Sequence, residues 1–118
     1  MDLKTISPLI PAARKVGDAL VLALRGEIDL NSSPELRSEV LSLMAKSTPK
    51  RIVFNLAGVP YMDSSALAVL VEAMQKMRKV GGKVHLTNLQ PRVQGLIEIA
   101  RLGTIFVIAA DEGEALKK

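Results

Sequence analysis

Two adjacent serines behind an acid, Asp63-Ser64-Ser65, are the residues of this chain best placed to do chemistry. They join an apolar run, Arg51 to Leu56, to an amphipathic run that extends to about Val80. A helix starting there leaves the amide N–H groups of its first turn unpaired and carries partial positive charge, which suits a phosphate. A phosphoserine would add about −1.5 to −2 charges and three strong acceptors beside Asp63. The plainer reading is that Asp63 or Ser64 simply caps the helix. Composition and spacing alone favour that one.

Other chemistries lack their parts. The single histidine, His85, lies in the strand-like pattern Lys-Val-His-Leu-Thr and reads as structural. With no Cys there is no thiolate metal site, disulfide or cysteine nucleophile. A Ser-His-Asp triad can be drawn from Ser65, His85 and Asp63, but the chain has no G-x-S-x-G turn. Gly81-Gly82 precedes a strand, whereas a dinucleotide fingerprint follows one, and no P-loop motif occurs. No enzymatic activity, metal or cofactor is expected.

Net charge gives little direction. The +4 total is spread as 0, +2, +1 and +1 over residues 1–29, 30–62, 63–80 and 81–118. With one Tyr and two Phe as the only aromatics, no concentrated basic and aromatic face for nucleic acid is expected. The N-terminus, with an acid at position 2 and two early prolines, lacks the pattern of a signal peptide. No apolar stretch reaches the roughly 18 to 20 residues of a spanning helix, so a cytoplasmic protein without membrane insertion is expected.

The elements that must position Asp63-Ser64-Ser65 follow from periodicity. Ala19–Leu24, bounded by Gly17-Asp18 and Arg25-Gly26, reads as a buried strand. Ala13–Val16 reads as an edge strand paired to it through a Gly17-Asp18 hairpin, with Arg14 and Lys15 charging the exposed edge. A helix begins near Ser33, with Ser33 as cap and Pro34 at its first position, or with a Ser32 and Glu35 capping box. It places Leu36, Val40, Leu43 and Met44 on one face and stops at Thr48-Pro49. Arg51–Leu56 is a strand apolar enough for burial on both faces. The second helix carries Leu67, Leu70, Val71, Met74 and Met77 and ends at Gly81-Gly82. Lys83–Thr87 is a strand, Pro91–Arg101 a helix, Ile105–Ala109 a strand and Asp111–Leu116 a helix. This β-β-α-β-α-β-α-β-α order requires crossovers, so the sheet is expected to be mostly parallel in one domain spanning residues 1–118, irregular over 1–11 and closed by a helix over 111–118. Asp63-Ser64-Ser65 then falls at the carboxyl end of a strand, where functional loops collect.

Gly26-Glu27-Ile28-Asp29 followed by Ser33-Pro34-Glu35-Leu36, then Asn55-Leu56 and Val59-Pro60-Tyr61-Met62-Asp63-Ser64-Ser65, resembles the STAS domain family, and most closely its bacterial anti-sigma factor antagonists. The likeness spans nearly the whole chain. It implies an α/β fold with a mixed, mostly parallel sheet of about five strands and helices packed mainly on one side. It also implies a mechanism: the unphosphorylated antagonist binds an anti-sigma factor serine kinase and frees a sigma factor, phosphorylation ends the complex, and a phosphoserine phosphatase resets it. By position in the motif, Ser65 is the modified residue, and Asp29, Asn31, Asp63 and Ser64 border the partner surface. An alternative within the family is an unmodified scaffold or interaction subunit of a regulatory or transporter complex. The chain departs from the family pattern at Ala66, where Gly is usual; its Cβ either suits a helical turn or crowds a closely approaching kinase. Net charge alone points to a partner surface with an acidic rim.

Overall fold

In a computed structural model that describes residues 4–117, the elements follow the expected order: β1 (Ala12–Val16), β2 (Ala19–Arg25), α1 (Ser33–Ser47), β3 (Arg51–Gly58), α2 (Ser64–Lys79), β4 (Lys83–Thr87), α3 (Pro91–Ile99), β5 (Val107–Ala109) and α4 (Glu112–Lys117). Residues 1–3 of the irregular start, and Lys118 after the last helix, lie outside the described residues. The five strands form one sheet in sequence order, with β1 antiparallel to β2 and every other pair parallel.

The Gly17-Asp18 hairpin forms with Val16 opposite Ala19. Gly17 supplies the positive φ, 60°, that a two-residue hairpin demands. The edge charges do not behave as expected. Arg14 and Lys15 are half-buried: the Arg14 guanidinium pairs with Glu112 at 2.7 Å and Lys15 Nζ donates to the Ser47 carbonyl at 3.0 Å. The edge is covered instead by the N-terminal arm, whose Lys4 bridges Ala13 and whose Ile10 is fully buried.

Alternation of side chains along the strands makes two cores. Leu20, Leu22, Leu24, Ile52, Phe54, Leu56, Val84 and Leu86 point to one face and are covered by α1, α2 and α3 through Leu36, Val40, Leu70, Met77, Val93 and Ile97. Val21 and Val53 point to the other face, where Ala115 of α4 closes a much smaller core. β3 is therefore buried on both sides, and three of the four helices share one face.

The bounds of β1, β2, β3 and α4 differ from expectation by one or two residues, and three further differences have a local reason. β5 begins at Val107, not Ile105, because Ile105 is drawn into a turn on the Leu102 carbonyl and Phe106 packs into the main core. α3 ends at Ile99, not Arg101; Arg101 adopts φ 59° and Leu102 N–H closes back on the Ile97 carbonyl, a left-handed cap. Ser33 is the first residue of α1 and not its cap. At the end of α2, Gly81 takes φ 73°, while a Cβ on Gly82 would meet the Lys50 carbonyl at 2.7 Å. The two glycines are needed for different reasons.

Candidate functional site

The site is built where two loops meet at the carboxyl end of the parallel strands. Past a register shift after Ala23, Gly26 N–H reaches the Gly58 carbonyl. Ile28 then forms a short parallel bridge to Met62: its N–H donates to the Tyr61 carbonyl and its carbonyl accepts from Asp63 N–H. Ile28, Val59 and Met62 are buried beneath it. The β2–α1 loop and the start of α2 are thus tied together, although more than thirty residues separate them.

Asp63 is the N-cap of α2, in extended conformation. Its Oδ1 accepts the backbone N–H of Ser65 at 2.9 Å and of Ala66 at 3.3 Å, and the Ser65 hydroxyl donates to the same oxygen at 2.5 Å. These contacts hold the carboxyl below the usual carboxylate range. The Ser65 hydroxyl contributes most, the amides of Ala66, Ser65 and Leu30 add to it, and partial desolvation opposes them. Asp63 is therefore ionised near neutrality and fixes the Ser65 side chain.

The remaining expected residues surround this pair. Ser64 is exposed at the first position of the helix, and Asn31 is exposed in the β2–α1 loop. Asp29, half-buried, organises that loop: its Oδ1 accepts from Asn31 N–H at 2.9 Å and its carbonyl accepts from the N–H groups of Ser32 and Ser33. The Ser32 hydroxyl closes the other side, accepting from Asp29 N–H and donating to the Glu27 carbonyl. The Ser32–Glu35 capping box consequently does not form, because Ser32 is spent on the loop behind it.

Ser65 is half-buried and lines a groove of about 290 Å³ between α1 and α2 with Ser33, Pro34, Arg37, Ala68, Val69 and Glu72. Arg37 and Glu72 bridge the helices there in a bidentate pair, 2.6 and 2.8 Å, which raises the guanidinium pKa and lowers the carboxyl. Both lie outside the apolar stripes of their helices, and sequence reading missed their contact, since nothing local links positions on separate helices. Leu30, 75% exposed beside Asp29, was also missed. An apolar residue breaking a polar loop was the available signal.

Ala66 has an outcome the sequence left open. It is 1% exposed and belongs to the main core, so its methyl faces inward. His85 is fully buried in mid-β4, opposite Val53 and Val107, on the sheet face covered by α4. Ser65 and Asp63 lie at the start of a helix on the other face, so the paper triad does not assemble. Among the described residues no three His, Cys, Asp or Glu side chains converge as a metal site would require, and no helix is long and apolar enough to cross a membrane.

Comparison with known proteins agrees with this arrangement. The STAS domain model matches residues 11–115. The anti-sigma-B factor antagonist of Bacillus subtilis is 38% identical over 87 residues, 74% of this chain and 78% of that protein. A Thermotoga maritima protein assigned as an anti-sigma factor antagonist superposes with a TM-score of 0.85 at 21% identity, covering 92% of each chain. The Bacillus cell fate determinant SpoIIAA in its phosphorylated form gives a TM-score of 0.66 at 22% identity, over 98% of this chain and 96% of that one. The chain belongs to the STAS domain family, among relatives of the anti-sigma factor antagonists.

Proposed function

We propose that this protein is a cytoplasmic anti-sigma factor antagonist controlled by phosphorylation of Ser65. Unmodified, it binds an anti-sigma factor that is itself a serine kinase and so releases a sigma factor; phosphate on Ser65 ends that complex, and a phosphoserine phosphatase restores it. The protein acts by binding and catalyses nothing itself. The observation that carries this reading is the Ser65 hydroxyl, half-buried at a helix N-terminus and held on Asp63 at 2.5 Å, beside a loop tied to it by the Ile28–Met62 bridge.

The chemistry supports a switch. Phosphorylation converts the donor that Asp63 accepts into a dianion next to an ionised carboxylate. The partial positive charge of the helix start offsets part of that repulsion, so the domain itself tolerates the phosphate. A partner packed against the neutral hydroxyl must accommodate both the bulk of the phosphate and its dehydration. Asp29, Asn31, Asp63 and Ser64 form the border of that partner surface.

Incubation with an anti-sigma factor serine kinase of the same genome and ATP tests the reading. One added phosphate is expected on the wild type and on Ser64→Ala, and none on Ser65→Ala. An unchanged wild-type mass, or full labelling of Ser65→Ala, sinks the switch.

A further inference from the structure

The same site carries an apolar residue that the phosphate chemistry does not use. Leu30 is 75% exposed, and among the described large apolar residues only Ile99, at the end of α3, is more so, at 84%. Its loop is not slack. Asp29, Asn31, Ser32 and Ser33 are knotted by the hydrogen bonds described above, and Ile28 is held in the bridge to Met62. The Leu30 N–H itself faces the Asp63 carboxylate. A side chain held out by such a backbone loses little freedom on binding, which is what an interface anchor needs.

Charge around Leu30 runs against the chain as a whole. Residues 26–36 and 59–65, which form this surface, contain Glu27, Asp29, Glu35 and Asp63 and no Lys or Arg, a local charge of −4 in a protein of +4. Of the basic residues next to it, Arg37 is neutralised by Glu72, whereas Arg92, over the Tyr61 ring at 4.7 Å, and the exposed Arg25 bring the local sum to −2, still opposite in sign to the whole. At contact range, within a Debye length of about 8 to 10 Å, these local carboxylates set the field. The acidic partner rim expected from net charge is thereby reversed.

We propose that Leu30 is the apolar anchor of the partner interface and enters a pocket with a basic rim on the anti-sigma factor kinase. This rests on the antagonist reading above and specifies its contact. Because added negative charge favours a basic partner at long range, release on phosphorylation is a short-range effect of bulk and dehydration at Ser65.

Binding of the full chain to the purified kinase with ADP provides the test. Leu30→Ala is expected to weaken binding about thirtyfold and Leu30→Asp at least as much, with thermal unfolding unchanged. Ile99→Ala, which removes an equally exposed apolar residue elsewhere, should stay within about twofold. Raising salt from about 0.05 to 0.5 M should weaken the wild-type complex. Wild-type binding with Leu30→Ala inside twofold of it would overturn the anchor while leaving the antagonist reading intact. Binding that strengthens with salt would overturn the basic rim. A wild type that binds no kinase would overturn both readings together.

Discussion

The starts of α1 and α2 carry nearly the same sequence signal and use it in opposite ways. Each follows a strand and a loop, and each opens on a pair of small polar residues able to cap a helix. At α2 the Asp63 side chain turns forward onto Ser65 and Ala66 and collects the Ser65 hydroxyl as well. At α1 the Ser32 side chain turns back into the loop, and Ser33 is buried at 6% exposure. A carboxylate has acceptor capacity for two amides and a hydroxyl together. The Ser32 hydroxyl, turned into the loop by its two contacts there, makes no cap bond to the helix. One start fixes a half-buried serine hydroxyl on its cap, and the other uses a serine hydroxyl to shape the loop beside it.

The largest expected consequence is selectivity of modification. All phosphate placed by the kinase should map to α2 and none to Ser32 or Ser33, as read by fragment mass spectrometry. A phosphate on either α1 serine would break the contrast outright.

Stability should separate the two starts next. Asp63→Ala removes the cap and is expected to lower Tm by about 5 °C. This contribution also depends on pH. The folded-state pKa of Asp63 is lowered, so its stabilisation is complete above the ordinary carboxylate range and lost as pH falls through the depressed value. Acid titration of wild type against Asp63→Asn should show that loss only in the wild type; parallel curves would remove Asp63 from the account.

Ala66→Gly restores the usual family residue. Because the methyl is buried in a helix, the change should cost ~1 kcal/mol and leave the phosphorylation rate unchanged. A markedly faster reaction would show that the Cβ does obstruct the kinase. The smallest effect belongs to Ser32→Ala, with Tm lower by about 2 °C and no pH dependence of its own, checked in the same melts. A drop as large as that of Asp63→Ala would erase the distinction between a cap and a loop tie.

Much of this was legible because it is local. The apolar stripe Leu67, Leu70, Met74 and Met77, the hairpin glycine and the Gly81-Gly82 stop report helix period, turn conformation and cap within a few residues. The place of Ser65 in the first turn of a helix was legible from local spacing, while its reading as a switch came from the motif alone. What escaped were contacts between distant positions: Arg37 with Glu72, the Ile28–Met62 bridge, and Glu112 reaching both Arg14 and Asn55. Even the α1 cap was misjudged, because the Ser32 hydroxyl is claimed by the backbone of Asp29 and Glu27, and two valid local motifs competed for it.

The sequence by itself determined the order of elements, the parallel sheet and the placing of Asp63-Ser64-Ser65 at a strand's carboxyl end, since periodicity, turn residues and crossover geometry are set along the chain. Only the tertiary structure decided that Ala66 points inward, that His85 lies on the far face, and that Leu30 stands out among carboxylates in a protein of net positive charge. Those outcomes depend on which side of the sheet a side chain meets and on what distant segment lies within a few ångströms. Net charge and spacing are sums along a chain, whereas recognition and burial act at contact distance.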